Sequence, residues 1–256
     1  MVSKKNWLAS AALVALCSGA SAAPILWVGD GDGTLGTVDV ATGTATVIGQ
    51  MRQVMTDIAF DPSGNLWGIT FNSLYQINKS TAATTLVGNF GPTLNSLVFG
   101  ADGTLYAANN SLYKLNTSTG AATLIGSGNY SSSGDLAFVA GNLYLSSAGD
   151  SLFRLNTTTG AGTNVGAIGF SAVYGLATDN NIDLYGLTGT SVLDINTTTG
   201  AGSVHVANYS GTALGAAWGT AFVTEAGANV PEPGTLALLG LAVLGLTATR
   251  KRSQSL

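Results

Sequence analysis

The chain has 256 residues, of which 46% are hydrophobic and 9% charged, with 35 glycines and a formal net charge of −4. It holds one cysteine and one histidine, which leaves no inventory for a disulfide scaffold, a Cys/His nucleophile or a His-rich metal site. Between residues 23 and 230 four basic residues stand against twelve acids, a net of −8, which argues against nucleic acid or anionic lipid headgroups as partners of that segment.

The N-terminus reads as a secretory leader. Lys4 and Lys5 precede an apolar stretch from Trp7 to Cys17, and small residues follow up to Ala23. This is the n-, h- and c-region order of a signal peptide. Ala20-Ser21-Ala22 offers an A-x-A site, so the mature chain is expected to begin at Ala23. Cys17 is lost with the leader, and with no disulfide available the exported body must rely on a packed core.

The body is repetitive. Asn-x-x-Thr-Gly recurs at 116–120, 156–160 and 196–200, with variants at 39–43 and 78–82, giving spacings of 39, 38, 40 and 40 residues. Immediately before each stands an aligned strand-like block: Ser73-Leu74-Tyr75-Gln76-Ile77, Ser111-Leu112-Tyr113-Lys114-Leu115, Ser151-Leu152-Phe153-Arg154-Leu155 and Ser191-Val192-Leu193-Asp194-Ile195, with a weaker first copy over 34–38. Their apolar residues recur two apart, the period of a strand. The Asn-x-x-Thr-Gly segment has hairpin-loop chemistry: an Asx-type side-chain bond followed by a glycine that tolerates positive φ.

Each unit continues with a short strand such as Thr85-Leu86-Val87 and then a third, which starts at Asp57-Ile58-Ala59-Phe60, Ser96-Leu97-Val98-Phe99, Asp135-Leu136-Ala137-Phe138, Gly175-Leu176-Ala177-Thr178 and Gly215-Ala216-Ala217-Trp218. A turn leads to the fourth strand, marked by Leu66-Trp67, Leu105-Tyr106, Leu143-Tyr144 and Leu184-Tyr185, with Leu26-Trp27 as the first of that series. About 39 residues, four strands and an aromatic per unit are the arithmetic of a propeller blade. The expected fold is all-β: a β-propeller of about five four-stranded blades closed by N- and C-terminal strands, with an N-terminal signal helix and a short C-terminal transmembrane helix. Such closure removes free sheet edges. Ala221-Phe222-Val223 reads as an extra strand that extends an edge or begins a sixth blade. The turn over 61–65 with Leu66-Trp67 resembles the NHL and gluconolactonase-like propellers, a local likeness that transfers no catalytic residue.

The C-terminal tail has its own logic. Pro231 and Pro233 bracket Glu232, and each proline disfavours a helical residue before it, so an extended handle is expected. Residues 235–248 carry no charge and six leucines, a stretch that rises about 21 Å as a helix against about 30 Å of hydrocarbon. Arg250, Lys251 and Arg252 keep the C-terminus cytoplasmic and leave the body on the far side. The chain thus divides into a signal peptide 1–22, a propeller 23–224, a linker 225–234, a transmembrane helix 235–249 and a basic tail 250–256. Residues from Glu225 to Val230 are expected to be only a tether.

Pro231-Glu232-Pro233, the short Leu/Gly-rich span and the terminal Arg/Lys cluster together resemble the PEP-CTERM sorting signal. The resemblance covers about 27 residues and implies recognition by an exosortase, an integral-membrane protease-like enzyme that cleaves near the motif. It implies an inner-membrane-tethered precursor, then a body attached to the cell surface or released, and it is silent on what that body does.

For chemistry within the body, only carboxylates remain. Asp57 and Asp135 occupy the same position of the third strand and could face a central channel, where two carboxylates hold a cation or act as an acid–base pair; the alternative is that they cap turns and face water. Asp30 and Asp32 alternate with glycines, a fragment of a calcium loop. Calcium is the one cofactor these residues suggest. His205 aligns with Ile48, Val87, Ile125 and Val165, positions used for packing. The Asn-x-Thr/Ser triplets at Asn78, Asn116, Asn156 and Asn196 match glycosylation sequons, but their fixed place in a repeating turn accounts for them. Tyr75, Tyr113, Phe153, Trp67, Tyr106, Tyr144 and Tyr185 either stack on sugars or pack between blades. The expected function is a non-catalytic surface or matrix propeller that meets extracellular polysaccharide. The alternative is a carboxylate- or metal-dependent hydrolase or lyase acting on sugars or lactones.

Overall fold

Among the described residues there are twenty short strands, and the leucine–aromatic doublet of each second strand, as in Leu66 and Trp67, buries one residue toward the preceding blade and one toward the next. The computed structural model describes residues 24–209 and 213–227. The leader 1–22, the handle Pro231, Glu232 and Pro233, the apolar segment 235–249 and Arg250, Lys251 and Arg252 lie outside the described residues.

Blade 1 contains β1 (Ile25–Asp30), β2 (Thr34–Asp39) and β3 (Thr44–Gln50), completed on the inside by the last strand, β20 (Ala217–Phe222), in the order β20-β1-β2-β3. Blade 2 runs β4 (Asp57–Phe60), β5 (Leu66–Ile69), β6 (Ser73–Ile77) and β7 (Thr84–Asn89). Blade 3 is β8 (Ser96–Phe99), β9 (Leu105–Ala108), β10 (Ser111–Leu115) and β11 (Ala122–Ser127). Blade 4 is β12 (Ser132–Val139), β13 (Asn142–Ser147), β14 (Ser151–Leu155) and β15 (Gly162–Ala167). Blade 5 is β16 (Val173–Ala177), β17 (Leu184–Thr188), β18 (Ser191–Ile195) and β19 (Gly202–Val206). The architecture is all-β, a five-bladed propeller of four-stranded antiparallel sheets.

Register corrects the expected closing strand. Leu26 pairs with Phe222 and Trp27 with Ala221, as Leu66 pairs with Phe60 and Trp67 with Ala59. The residue equivalent to Asp57, Ser96, Asp135 and Gly175 is therefore Gly219, four positions beyond the expected Gly215. Ala221 and Phe222 belong to this inner strand, so there is no sixth blade among the described residues. Free edges are not removed either, since β3, β7, β11, β15 and β19 each end a sheet on the outside. Each of these outer strands pairs with its neighbour through a register shift, a device that twists an edge away from further pairing.

The core is divided among the five interfaces between blades. At four of the interfaces the aromatic of the second strand meets a phenylalanine at the end of the next inner strand or one residue before it: Trp27 with Phe60 at 5.4 Å, Trp67 with Phe99 at 6.0 Å, Tyr106 with Phe138 at 5.5 Å and Tyr185 with Phe222 at 5.5 Å between ring centroids. At the remaining interface Thr178 stands where the phenylalanine would be, and buried Tyr144 packs in the aliphatic cluster of Leu152, Leu176 and Leu193. Edge-to-face and tilted aromatic pairs are worth about 0.5–1.5 kcal/mol beyond the area they bury.

The Asn-x-x-Thr-Gly turns are clasps as well as turns. In each of the three full copies the asparagine Oδ1 accepts the N–H groups two and three residues on, at 2.8–3.0 Å, with Asn116 receiving Ser118 and Thr119. The preceding blade lays a glycine of its outer strand against this turn so closely that a Cβ on Gly88, Gly126 or Gly166 would overlap the carbonyl oxygen of Thr119, Thr159 or Thr199. Between blades 1 and 2, where Ala82 replaces the turn glycine, the approach is looser, with Gly49 Cβ 3.0 Å from Thr81 O. The seam between blades 5 and 1 differs again, because Val206 packs on the turn at Gly43 and His205 Nε2 hydrogen-bonds the carbonyl of Val40 at 3.0 Å.

Candidate binding site at the channel mouth

The inner strands line the axis with one residue per blade at each level. Asp57, Ser96, Asp135, Gly175 and Gly219 form one such ring, and all five are buried. The two carboxyls fill the space that the glycines leave. A Cβ on Gly219 would overlap the backbone of Asp57, and one on Gly175 would lie 2.7 Å from Thr220 Oγ1.

Asp57 and Asp135 are brought together, and each is 0% exposed, so they do not cap turns in water. Asp57 accepts from Ile58 N at 2.7 Å and, across to blade 3, from Leu97 N at 2.6 Å. Asp135 accepts from Leu136 N at 2.6 Å, from Leu176 N of blade 5 at 2.6 Å and from Thr220 Oγ1 of blade 1 at 3.0 Å. The two carboxyls also hydrogen-bond each other. Burial pushes both well above the usual carboxylate range, and for Asp57 the proximity of Asp135 pushes further, so the pair retains a proton between them. This network touches all five blades and closes the channel at this level.

Asp30 is a turn residue. Its Oδ1 accepts Asp32 N at 3.0 Å and Thr34 N at 2.7 Å, and its Oδ2 accepts Gly215 N at 2.8 Å. It ties the β1–β2 turn to the segment that feeds β20, where Tyr209 Oη also donates to Gly215 O. Asp32 is exposed beside it. Among the described residues no three acidic, histidine or cysteine side chains are grouped to hold a metal ion. His205 sits in the bulge of β19, edge-on to Tyr185 at 5.5 Å, with Nδ1 3.0 Å from Asp194 Oδ2, and it serves the seam.

One level above the closed ring is an open one. Thr56, Asn95, Gly134, Tyr174 and Trp218, each one residue before a member of the buried ring, line a cavity of about 210 Å³ together with Phe71 and Ser133. None of these side chains is charged. Phe71 and Tyr174 are exposed, and the Trp218 indole rests on Gly31, where a Cβ would lie 2.7 Å from Nε1. Asn95 Nδ2 donates to Ser132 O at 3.1 Å, while its Oδ1 is buried with no partner among the described residues, as is Ser132 Oγ.

Sequence reasoning missed these aromatics because it followed the repeat. The repeating aromatics are consumed by packing: Trp67, Tyr106, Tyr144, Phe153 and Tyr185 are all buried, and Tyr75 and Tyr113 are half-buried against neighbouring blades. The signal lay in departures from the repeat, because Tyr174 and Trp218 are large where Thr56 and Gly134 are small.

At the opposite end, the turn after β20 is part of the body and not a free tether. Val223 packs against the β4–β5 turn at Gly64, and Ala226 is buried in the cluster of Trp67 and Phe99. Glu225 lines a cavity of about 330 Å³ with Asp102, Tyr106 and Phe138. Its Oε1 is shielded from solvent without a hydrogen-bond partner among the described residues. Burial and then Asp135 push this carboxyl well above the ordinary glutamate range.

Comparison with known proteins agrees with both halves of the chain. Residues 229–252 match the PEP-CTERM protein-sorting motif, which implies export and processing through an exosortase. Residues 58–178 match a family described as a repeat of unknown function, DUF6923. No curated protein matches. Among solved structures, the chain is similar to one described under "The de novo evolutionary emergence of a symmetrical protein is shaped by folding constraints", with 17% identity, a TM-score of 0.52, and 75% of this chain and 96% of that one covered. It is also similar to a structural genomics protein of unknown function from Bacteroides thetaiotaomicron, at 16% identity and a TM-score of 0.54, covering 81% of this chain and 66% of that one. At these identities the likeness shows the fold alone.

Proposed function

We propose that this propeller is a non-catalytic binding module, carried to the cell surface or the extracellular matrix by its sorting tail, which holds neutral polysaccharide at the mouth of its channel. The observation that carries the reading is the uncharged cavity of Phe71, Tyr174 and Trp218 with an unsatisfied amide oxygen at Asn95. Aromatic faces take the C–H face of a sugar ring, and an unpaired acceptor takes a hydroxyl. Binding without turnover is supported by the position of Asp57 and Asp135, which lie beneath the cavity, out of solvent and saturated by main-chain N–H groups. Before cleavage the precursor is tethered in the inner membrane by residues 235–249.

Purified exported protein screened against neutral glycans and lactones, with and without calcium, tests the reading. Retention on a neutral polysaccharide without product formation is the expected result. Turnover, or binding that requires calcium, would transfer the assignment to a carboxylate- or metal-dependent hydrolase or lyase. The sorting step has its own check: deletion of 231–233 should leave the exported chain at the size of the uncut precursor.

A further inference from the structure

We infer that the mouth recognises the end of a saccharide chain, a single terminal pyranose ring entering from above, and not an internal stretch of polymer. The inference rests on the saccharide reading just given and adds to it the mode of recognition.

Three features of the mouth select an end. The first is depth with a floor. Directly under the cavity stand Asp57, Ser96 and Asp135, each 0% exposed, so nothing threads through the channel and a ligand enters and leaves by one opening. The second is size. About 210 Å³ falls below the roughly 300–1,000 Å³ of sites for drug-sized ligands. One six-membered ring with its hydroxyls is accommodated, and the rest of a chain leaves through the opening.

The third feature is polarity arranged around the ring of blades. Tyr174 and Trp218 come from the adjacent blades 5 and 1 and make one wall apolar. Asn95 and Ser133 come from the adjacent blades 3 and 4 and make the facing wall polar, with Thr56 of blade 2 between the two walls. A pyranose has the matching division between a C–H face and a hydroxyl edge. The Asn95 amide nitrogen is held by Ser132 O at 3.1 Å, while its oxygen is shielded and unpartnered among the described residues, so it accepts from a ligand once the side chain turns toward the cavity. A ligand hydroxyl that donates there satisfies a buried acceptor. Acidic sugars are disfavoured, because the cavity has no cationic side chain among its lining residues and the segment 23–230 carries a net charge of −8.

The test uses the exported protein, neutral polysaccharides on a surface, and methyl glycosides of glucose, galactose, mannose, rhamnose and fucose as soluble probes. At least one methyl pyranoside should displace a bound polysaccharide and perturb Trp218 fluorescence. Tyr174→Ala, a change at an exposed side chain that leaves the core intact, should weaken that binding about tenfold, and Trp218→Phe should do so to a lesser degree, with melting curves confirming the fold. Polysaccharide binding that no methyl pyranoside displaces, even at about 100 mM where weak monosaccharide sites with millimolar Kd saturate, overturns end recognition and leaves the polysaccharide reading standing. Displacement that is unchanged in both variants places the sugar elsewhere and overturns the assignment to the mouth. Absence of any saccharide binding overturns both readings.

Discussion

Asp57 and Asp135 hydrogen-bond each other across the channel, joining blade 2 to blade 4, while each also accepts a main-chain N–H from the following blade. Both carboxyls titrate above the ordinary range, so folding takes up a proton that an unfolded aspartate, near 3.9, would release. Their contribution to stability is complete below about pH 4 and is lost as pH rises through the folded values. Asp57→Asn supplies a permanent donor to Asp135 but leaves one buried N–H unmet. It should cost about 1–3 kcal/mol near pH 5 and flatten the decline of stability toward alkaline pH. Urea unfolding of parent and variant from pH 4 to 9 measures this, and parallel curves would show that the pair shares no proton.

Glu225 carries the same sign. Its raised value comes from burial first and Asp135 second, so its stabilisation is present below the unfolded glutamate value of about 4.3 and fades above it. Glu225→Gln has no such dependence and should gain on the parent steadily as pH rises. A stability difference that stays constant across pH would place the carboxyl in solvent.

The clasp makes a steric prediction. Gly126→Ala drives a methyl into the backbone carbonyl of Thr159 in the next blade, which cannot rotate away. A loss of about 1–3 kcal/mol or more is expected from overpacking of this kind. Gly149→Ala is the control, because its Cβ would meet only Ser147 Oγ at 3.9 Å, and it should stay within about 0.5 kcal/mol. Thermal melting of the two variants settles the contrast.

At Asn116 the side-chain oxygen does the work, since Oδ1 receives Ser118 N at 2.8 Å and Thr119 N at 3.0 Å. Asn116→Asp keeps that acceptor, as Asp39 does in blade 1, and should be nearly neutral. Asn116→Ala removes it and should cost about 0.5–1.5 kcal/mol in a denaturant titration. Equal effects of the two substitutions would refute the turn's dependence on the side chain.

Much of the ring was legible in the sequence because each blade repeats a leucine–aromatic doublet and an Asx turn, and all but the fifth place a glycine of the outer strand against the next turn. The period of Asn-x-x-Thr-Gly and the first-blade signal Leu26-Trp27 were enough for the four-stranded unit, for about five copies of it and for closure by the two terminal strands, while Ala221-Phe222-Val223 left a sixth blade open. The closing register was not, because Gly215-Ala216-Ala217 and Gly219-Thr220-Ala221 look alike as strings of small residues. The decisive partner was Phe222, which takes the place of Phe60, Phe99 and Phe138 beside the aromatic of the preceding blade. Glu225 was unreadable for a different reason. A lone acid before a proline-bracketed motif has the composition of a linker, and only the packing of Val223 and Ala226 draws it inward. The mouth was hidden because Phe71 and Tyr174 lie outside the repeating blocks, and Trp218 falls in the one block whose register the sequence misplaces. They converge only when five inner strands are set around one axis.

Because β20 completes the blade that β1 begins, the ring stays open until residue 222 is available to it. In an exported chain that emerges N-terminus first, β1 to β19 cross and must wait with a missing inner strand, Leu26 and Val28 uncovered. The piece that shuts the ring is the last of its strands to arrive, nine residues ahead of Pro231. Closure of the body and arrival of the sorting signal are therefore nearly one event. A chain cut short before β20 has both an open ring and no handle, and the sorting machinery meets only chains long enough to have shut.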